Sequence, residues 1–367
     1  MKFFNIPSVI EHHNQPLLLQ PKIEERQIEL IEDRQTYLVG ELALSEGLSP
    51  YRNINSSPED TDYQLLAKAG ILLALAGTSG EVAITTGFPY TTYELYKQQA
   101  VKFFTEKDLF IDYTAGSYDG LANTKKRMQV TVKHLDVMPE IMGCINAIRK
   151  GSTAEKGNFF IVSLGYGTCE TGLCAGGNLV TRTCMSVAGL RYAVNGLKNE
   201  LSREFNLGMK NEHMINQNFQ QGSIVLNRKK KDLVELKRTQ IDSYYNDVIS
   251  PTLKKAFTDL DFEKTDRIYL VGGGARYPQL VELFKAEFED ILKVIVPENA
   301  EQIASIGYYL RSAEWCGPGL ANQAIGLDIG NAYTSICIAD PKEKVDYSYN
   351  GTPQQAETVS TVYFKGV

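Results

Sequence analysis

The sequence is poor in the residues that build metal and redox sites. Of its 367 residues only four are histidine, and the single adjacent pair, His12-His13, has no supporting ligand pattern, so a zinc site is not expected. Six cysteines (Cys144, Cys169, Cys174, Cys184, Cys316, Cys337) include no C-x-x-C pair. The sequence also opens without a charged-then-apolar targeting pattern, so the cysteines read as free thiols in a reducing cytoplasm. No apolar run approaches the ~20 residues of a membrane span. Basic charge is not in excess: the net charge is −6, which argues against coating nucleic acid by bulk charge and leaves room only for a local patch. What is present suits a folded enzyme-sized chain. It is 43% hydrophobic and 22% charged, enough for a sizeable core, and its length suggests two domains or one with large insertions.

The pattern along the chain alternates strands and helices. Short strands are expected before residue 50, at Phe3 to Ile10, Ile28 to Ile31 and Thr36 to Glu41, followed by a polar surface loop over 46–62. Asp62 is placed to cap a helix whose Leu65, Leu66, Ala69, Leu72, Leu73 and Ala76 form one apolar stripe, ended by Gly77. A strand from Glu81 stops at Gly87, a helix follows from Thr92 to Phe104, and another strand runs from Met128 to His134. Pro139 and Glu140 then open a helix. Polar, glycine-bounded residues 150–157 read as a domain boundary, and 186–260 as mostly helix. The densest basic run, Arg228-Lys229-Lys230-Lys231, reads as a solvated helix start rather than a nucleic-acid contact. Such alternation implies an α/β fold with ligands at strand C-terminal ends.

Three stretches carry the chemistry. Ile325 to Ile338 reads as strand, tight turn, strand, with Asp328 at the strand end and Gly330-Asn331 in the turn. A glycine there lets backbone N–H groups approach an anion, and the carboxylate suits a hydrated Mg²⁺. Taken alone, this is also what an ordinary hairpin with a polar turn looks like. Asn158 to Cys174 repeats the layout, with Ser163-Leu164-Gly165 against Asp328-Ile329-Gly330, then Thr168. Two copies of one anion-cradling turn would clamp a phosphate chain from both sides, and the duplication says more than either copy. The third stretch is an apolar strand from Arg267 that runs into Gly272-Gly273-Gly274-Ala275. It allows backbone to lie against a flat or anionic ligand, with a plain loop as the alternative.

Together these motifs resemble the actin-like ATPase superfamily, and within it the ParM-type plasmid-segregating actins and their archaeal relatives. Asp328, Gly330, Asn331, Ala332 and Tyr333 resemble the first phosphate loop. Ser163, Gly165, Tyr166, Gly167 and Thr168 resemble the second, and Gly272, Gly273, Gly274 and Ala275 the adenosine motif, with Ala304 to Tyr308 in the helix after it. Val137-Met138-Pro139-Glu140 looks like the connecting segment whose glutamate orients the attacking water; Tyr37 to Glu41 and Thr86 to Pro89 also resemble that group. The resemblance implies a two-domain actin-like (ribonuclease H-like) α/β fold with nucleotide in the interdomain cleft. Domain I is then 1–155 plus 316–367, and domain II 156–315, with a final helix over 300–315 returning toward domain I. It further implies ATP, with GTP also admitted, and Mg²⁺ held by Asp328 through water. The partners implied are other copies of the chain in a filament and a DNA-binding adaptor, with no direct nucleic-acid motif and no membrane.

Two departures accompany the resemblance. The hairpin with which that family begins comes last here, so the order is circularly permuted, joined through Gly317-Pro318-Gly319. The second phosphate loop carries Ser163 where the family has aspartate, with Glu170 where a second acid usually stands; a serine cannot add negative charge for a hydrated cation, so slow hydrolysis is expected. The function expected is that of a nucleotide-dependent polymerising cytoskeletal ATPase in plasmid or DNA segregation, with hydrolysis destabilising the filament. The alternatives are a non-polymerising or weakly hydrolysing scaffold and a small-molecule kinase of the same superfamily. A kinase needs a further carboxylate base, and no second residue is as well placed as Glu140.

Overall fold

A computed structural model describes residues 1–15, 17–18, 21–116, 123–205, 212–317 and 320–340. The expected link at Pro318-Gly319 and the end of domain I, 341–367, lie outside the described residues. The chain opens with four short strands, β1 (Lys2–Pro7), β2 (Ile10–His13), β3 (Ile28–Glu32) and β4 (Gln35–Val39), then α1 (Glu41–Glu46) and α2 (Thr61–Ala74). Next come β5 (Gly80–Phe88), α3 (Tyr90–Thr105), β6 (Leu109–Gly116), β7 (Asn123–Pro139) and α4 (Glu140–Lys150). These strands join the C-terminal hairpin, β16 (Ala324–Ile329) and β17 (Tyr333–Ile338), in one nine-stranded sheet of order β1-β17-β16-β5-β7-β6-β3-β4-β2. β16 is therefore an interior strand: it runs parallel to β5 and antiparallel to β17, and β17 in turn pairs with β1. Only Ser8 and Val9 separate β1 from β2, yet these stand at the two ends of the strand order, so the sheet curls round on itself.

The second sheet is built from β8 (Phe159–Leu164), β9 (Thr168–Ala175), β10 (Asn178–Leu179), β11 (Met185–Ala188), β14 (Arg267–Val271) and β15 (Lys293–Ile295). β8, β14 and β15 are parallel, and β8 and β9 form an antiparallel hairpin. Four of the helices between β11 and β14 are α5 (Arg191–Glu204), α6 (Glu212–Gln221), α7 (Val234–Tyr244) and α8 (Ser250–Ala256), followed by the short α9 (Asp259–Phe262); α10 (Pro278–Phe288) follows β14, and α11 (Ile303–Cys316) follows β15. Each sheet has its own apolar core, centred on Leu66, Ile84 and Leu327 in one and on Phe160, Leu270 and Phe284 in the other. A third cluster joins them, in which α4 and α11 pack face to face. Their contact is very close. A Cβ on Gly307 would stand 1.8 Å from the Gly143 carbonyl oxygen, and one on Gly326 of β16 would stand 2.1 Å from that of Ser305. α11 thus fixes α4 and the C-terminal hairpin at once.

Two local expectations are corrected. Asp62 does not cap α2: Asp60 holds the N-cap position, and Asp62 in the first turn is buried in an ion pair with Arg52. The basic run is not a helix start but the turn and return strand of a hairpin, β12 (Ser223–Leu226) and β13 (Lys229–Asp232). Ile224 and Leu226 alternate inward while Val225 points out, and Asn227-Arg228 take the two left-handed turn positions at φ 50° and 62°. Among the described residues no helix is long and apolar enough to cross a membrane.

Candidate nucleotide cleft

The two strand–turn–strand hairpins have the same local form. At Gly330 an added Cβ would lie 2.7 Å from the Tyr333 carbonyl oxygen; at Gly165 it would lie 2.7 Å from that of Thr168. Each turn thus folds its glycine against the backbone three residues on, which no larger residue permits without displacement. Across each ladder an acid faces a serine, in opposite order: Asp328 pairs with Ser335, and Ser163 with Glu170. The turns also touch one another. Asn331 Nδ2 stands 2.1 Å from where a Cβ on Gly167 would be, and Asn331 exchanges two hydrogen bonds with Asn55, accepting from its backbone N–H at 2.8 Å and donating to its Oδ1 at 3.2 Å.

Between the hairpins stands Glu140, the first residue of α4. Pro139 ends β7 and sets the helix entry, so the carboxylate projects from the helix N-terminus. Ser163 Oγ donates to Glu140 Oε1 at 2.9 Å. Glu140, Asp328 and Glu170 form an acid cluster in which each carboxyl is held above its ordinary range. Burial is the chief cause for all three; the charge of Glu140 adds to it for Asp328 and Glu170, and the Ser163 hydroxyl partly opposes it for Glu140. Glu170 is pushed to about 8. Its Oε1 accepts the Tyr90 N–H at 2.6 Å, and the Ser186 hydroxyl and Ile141 N–H lie near enough to oppose the rise in part. Cys144, one turn along α4, is likewise pushed up by burial. Among the described residues no basic group acts on these three carboxyls.

The third wall is the exit of β14. Gly272 has φ 84° and a Cβ there would meet the Leu164 carbonyl oxygen at 2.8 Å; at Gly274 it would meet Leu164 Cβ at 2.6 Å. Gly273 between them faces open space, with nothing within 4 Å of an added Cβ. The walls enclose one cleft of about 400 Å³, within the ~300–1,000 Å³ usual for small-molecule sites. Glu140, Asp328, Gly330, Asn331, Ala332, Tyr333, Ser163, Gly165, Tyr166, Gly167, Thr168, Gly272, Gly273 and Gly274 all line it. Ala275 does not; it is buried behind the glycines. The sequence reading missed Arg52, Asn55, Lys237 and Tyr277, which line it too. Lys237 Nζ lies 4.8 Å from the Tyr277 ring centre, and burial lowers its pKa. These residues sit in loops and helices without a motif, and only the fold gathers them.

Among the described residues no group of three or more His, Cys, Asp or Glu could hold a metal ion directly. The acid cluster does fit a hydrated divalent cation reached through water, because a positive charge would relieve the raised carboxyls.

Comparison with known proteins agrees with this architecture. Residues 1–143 match the family model described as "Actin like proteins N terminal domain". No curated protein matches the chain. Among solved structures, the archaeal actin homolog Ta0583 is 15% identical with a TM-score of 0.63, over 84% of this chain and 92% of that one, and has also been solved in complex with ADP. A ParM in a 15-stranded filament from Clostridium botulinum is 17% identical with a TM-score of 0.63, over 84% and 92%. Bacillus thuringiensis ParM with AMPPNP is 16% identical with a TM-score of 0.54, over 85% and 92%. The chain has the actin-like fold, of the kind seen in ParM and archaeal actin homologs, and its first 143 residues match an actin-like N-terminal-domain model.

Proposed function

We propose that this protein binds ATP in the cleft, assembles with copies of itself in the nucleotide-bound state, and hydrolyses the nucleotide slowly. The observation that carries the reading is the meeting of two like turns, through Asn331 and Gly167, beside Glu140. The 330–333 and 165–168 turns cradle the phosphates with their backbone, the Gly330 N–H excepted because it donates to the Tyr333 carbonyl at 3.1 Å, and the open face at Gly273 takes the nucleoside. Asp328 would hold a hydrated Mg²⁺ through water, and that cation would offset phosphate charge. Glu140 orients the attacking water: Ser163 occupies Oε1, and the other oxygen accepts from water. The water oxygen bonds to the terminal phosphorus as the bond to the bridging oxygen breaks, giving ADP and phosphate, with one proton released. Ser163 supplies a hydroxyl rather than a third full charge beside Glu140, which favours slow turnover and keeps a weakly hydrolysing scaffold as the second reading.

In this reading domain I is 1–155 plus 316–367 and domain II is 156–315, with the chain order permuted. One observation supports the permutation: the hairpin of residues 324–338 lies between β1 and β5 in the sheet. Plasmid or DNA segregation through an adaptor is the role that fits a filament of this kind. Sedimentation and light scattering with and without ATP, with phosphate release followed on the same sample, test the function. ATP-dependent pelleting that decays as phosphate appears is the expected result; nucleotide turnover with no pelleting would remove the filament, and no nucleotide binding would remove the whole reading.

A further inference from the structure

Arg52 sits in the loop between α1 and α2, and its side chain is only 6% exposed. Nη1 donates to Asp62 Oδ2 at 2.6 Å and also to the Ser56 hydroxyl. Asp62 Oδ2 is further fixed by the Asn53 N–H at 2.9 Å. Yet the pair is incomplete: Arg52 Nε and Asp62 Oδ1 are both buried with no hydrogen-bond partner among the described residues. A buried donor left unmade is costly unless another state of the molecule supplies its acceptor. Arg52 lines the cleft that also holds Asp328, Glu140 and Ser163. The same loop is tied to the first phosphate turn by the reciprocal Asn55–Asn331 bonds. Tyr63, adjacent in sequence to Asp62, lies near enough to feel the charges of both Arg52 and Asp328. A guanidinium is thus part of the cleft wall, braced by Asp62, on a loop fastened to the turn expected to carry phosphate.

We propose that Arg52, braced by Asp62, is a ligand of the terminal phosphate and makes the cleft distinguish nucleoside triphosphate from diphosphate. The proposal rests on the nucleotide reading of the cleft. A guanidinium presents N–H groups in a fixed fork that matches phosphate oxygens, and bracing by a buried carboxylate pre-orients that fork. A phosphate oxygen would supply the acceptor that no described protein group gives Nε. The diphosphate has no terminal group to reach it.

The test compares the affinities of ADP and a non-hydrolysable ATP analogue, by calorimetry, in wild type and in Arg52→Gln and Arg52→Lys. The expected result is a loss of about ten- to a hundredfold in triphosphate affinity for Arg52→Gln, the size of a charge-assisted hydrogen bond, with ADP affinity nearly unchanged and partial recovery in Arg52→Lys. Equal losses for both nucleotides would show a merely structural role and overturn the proposal. Should the variants fail to fold, as judged by circular dichroism, the Arg52 Nε–H resonance of the wild-type protein decides: it should move with the triphosphate analogue and not with ADP. A signal that moves equally with both, or with neither, overturns the proposal while the cleft's binding stands. Wild-type protein that binds neither nucleotide removes the nucleotide reading and this one with it.

Discussion

Glu140 and Glu170 are both glutamates of the acid cluster, but their surroundings give them different tasks. Glu140 stands at a helix N-terminus, partly open to the cleft, with one oxygen satisfied by Ser163. If it only complements the helix it contributes ~0.3–1 kcal/mol, and Glu140→Ala changes stability slightly and turnover not at all. If it aligns the attacking water, phosphate release per folded molecule drops by roughly 10²–10⁴-fold while nucleotide still binds; wild-type release from folded Glu140→Ala would end that assignment. Glu170 is sealed in, with its pKa raised from 4.5 to about 8 by burial first and by Glu140 second. The folded state then keeps a proton that the unfolded state has lost. The stabilisation is fully present below about pH 4.5 and fades as pH rises toward 8. The melting temperature of nucleotide-free protein should therefore fall across that window, and fall less in Glu170→Gln. Parallel melting curves in the two proteins would show that the proton resides elsewhere.

At the scale of single elements, the glycine turn after β14 separates folding from binding. Gly272 and Gly274 press against Leu164 of β8, whereas Gly273 faces the open cleft. Gly274→Val should therefore damage the protein itself, by more than the ~1–3 kcal/mol of ordinary overpacking, since the nearest atoms include backbone. Gly273→Val should fold normally, with an unchanged denaturation midpoint, and lose nucleotide binding. Normal calorimetric binding in folded Gly273→Val would make the triple glycine a loop and no more. The same scale explains the error over the basic run. Four consecutive basic residues look like a solvated helix face, but the Ile224/Leu226 alternation before them has a period of two, and burying those side chains selected the hairpin.

At the scale of the whole molecule, α4 and α11 are the joint between the two sheets. Gly143 and Gly307 allow their backbones to meet, and Asn146 Nδ2 donates across the joint to the Gly307 carbonyl at 2.7 Å. Gly307→Ala puts a methyl group into the Gly143 carbonyl, so the helices must separate. It should destabilise the fold by at least ~1–3 kcal/mol. It should also weaken nucleotide binding, although Gly307 does not line the cleft, because both hairpins are held relative to this joint. Denaturant titration and calorimetry on one preparation check both effects; lowered stability with intact affinity would mean that the joint does not set the cleft.

Local pattern was enough to identify the elements that carry their own instructions. The strand–turn–strand of 325–338, its repeat at 158–174 and the strand running into Gly272-Gly273-Gly274 were legible because alternating apolar residues and obligatory glycines are short-range signals. So was α4 with Pro139 and Glu140 at its start. The pairing of Asp328 with Ser335 and of Ser163 with Glu170 came only with the strand register. Long-range placement was not legible. Arg52 and Asp62 lie in a polar stretch that reads as a surface loop with a helix cap, and only packing of that loop against the cleft buries them as a pair. Lys237 and Tyr277 come from separate helical regions that meet only when the second core closes. The interior position of the C-terminal hairpin, between the first strand and β5, likewise depends on backbone hydrogen bonds between residues more than two hundred positions apart. Sequence determined which segments could cradle an anion; burial and strand pairing across the whole chain decided that they face one another.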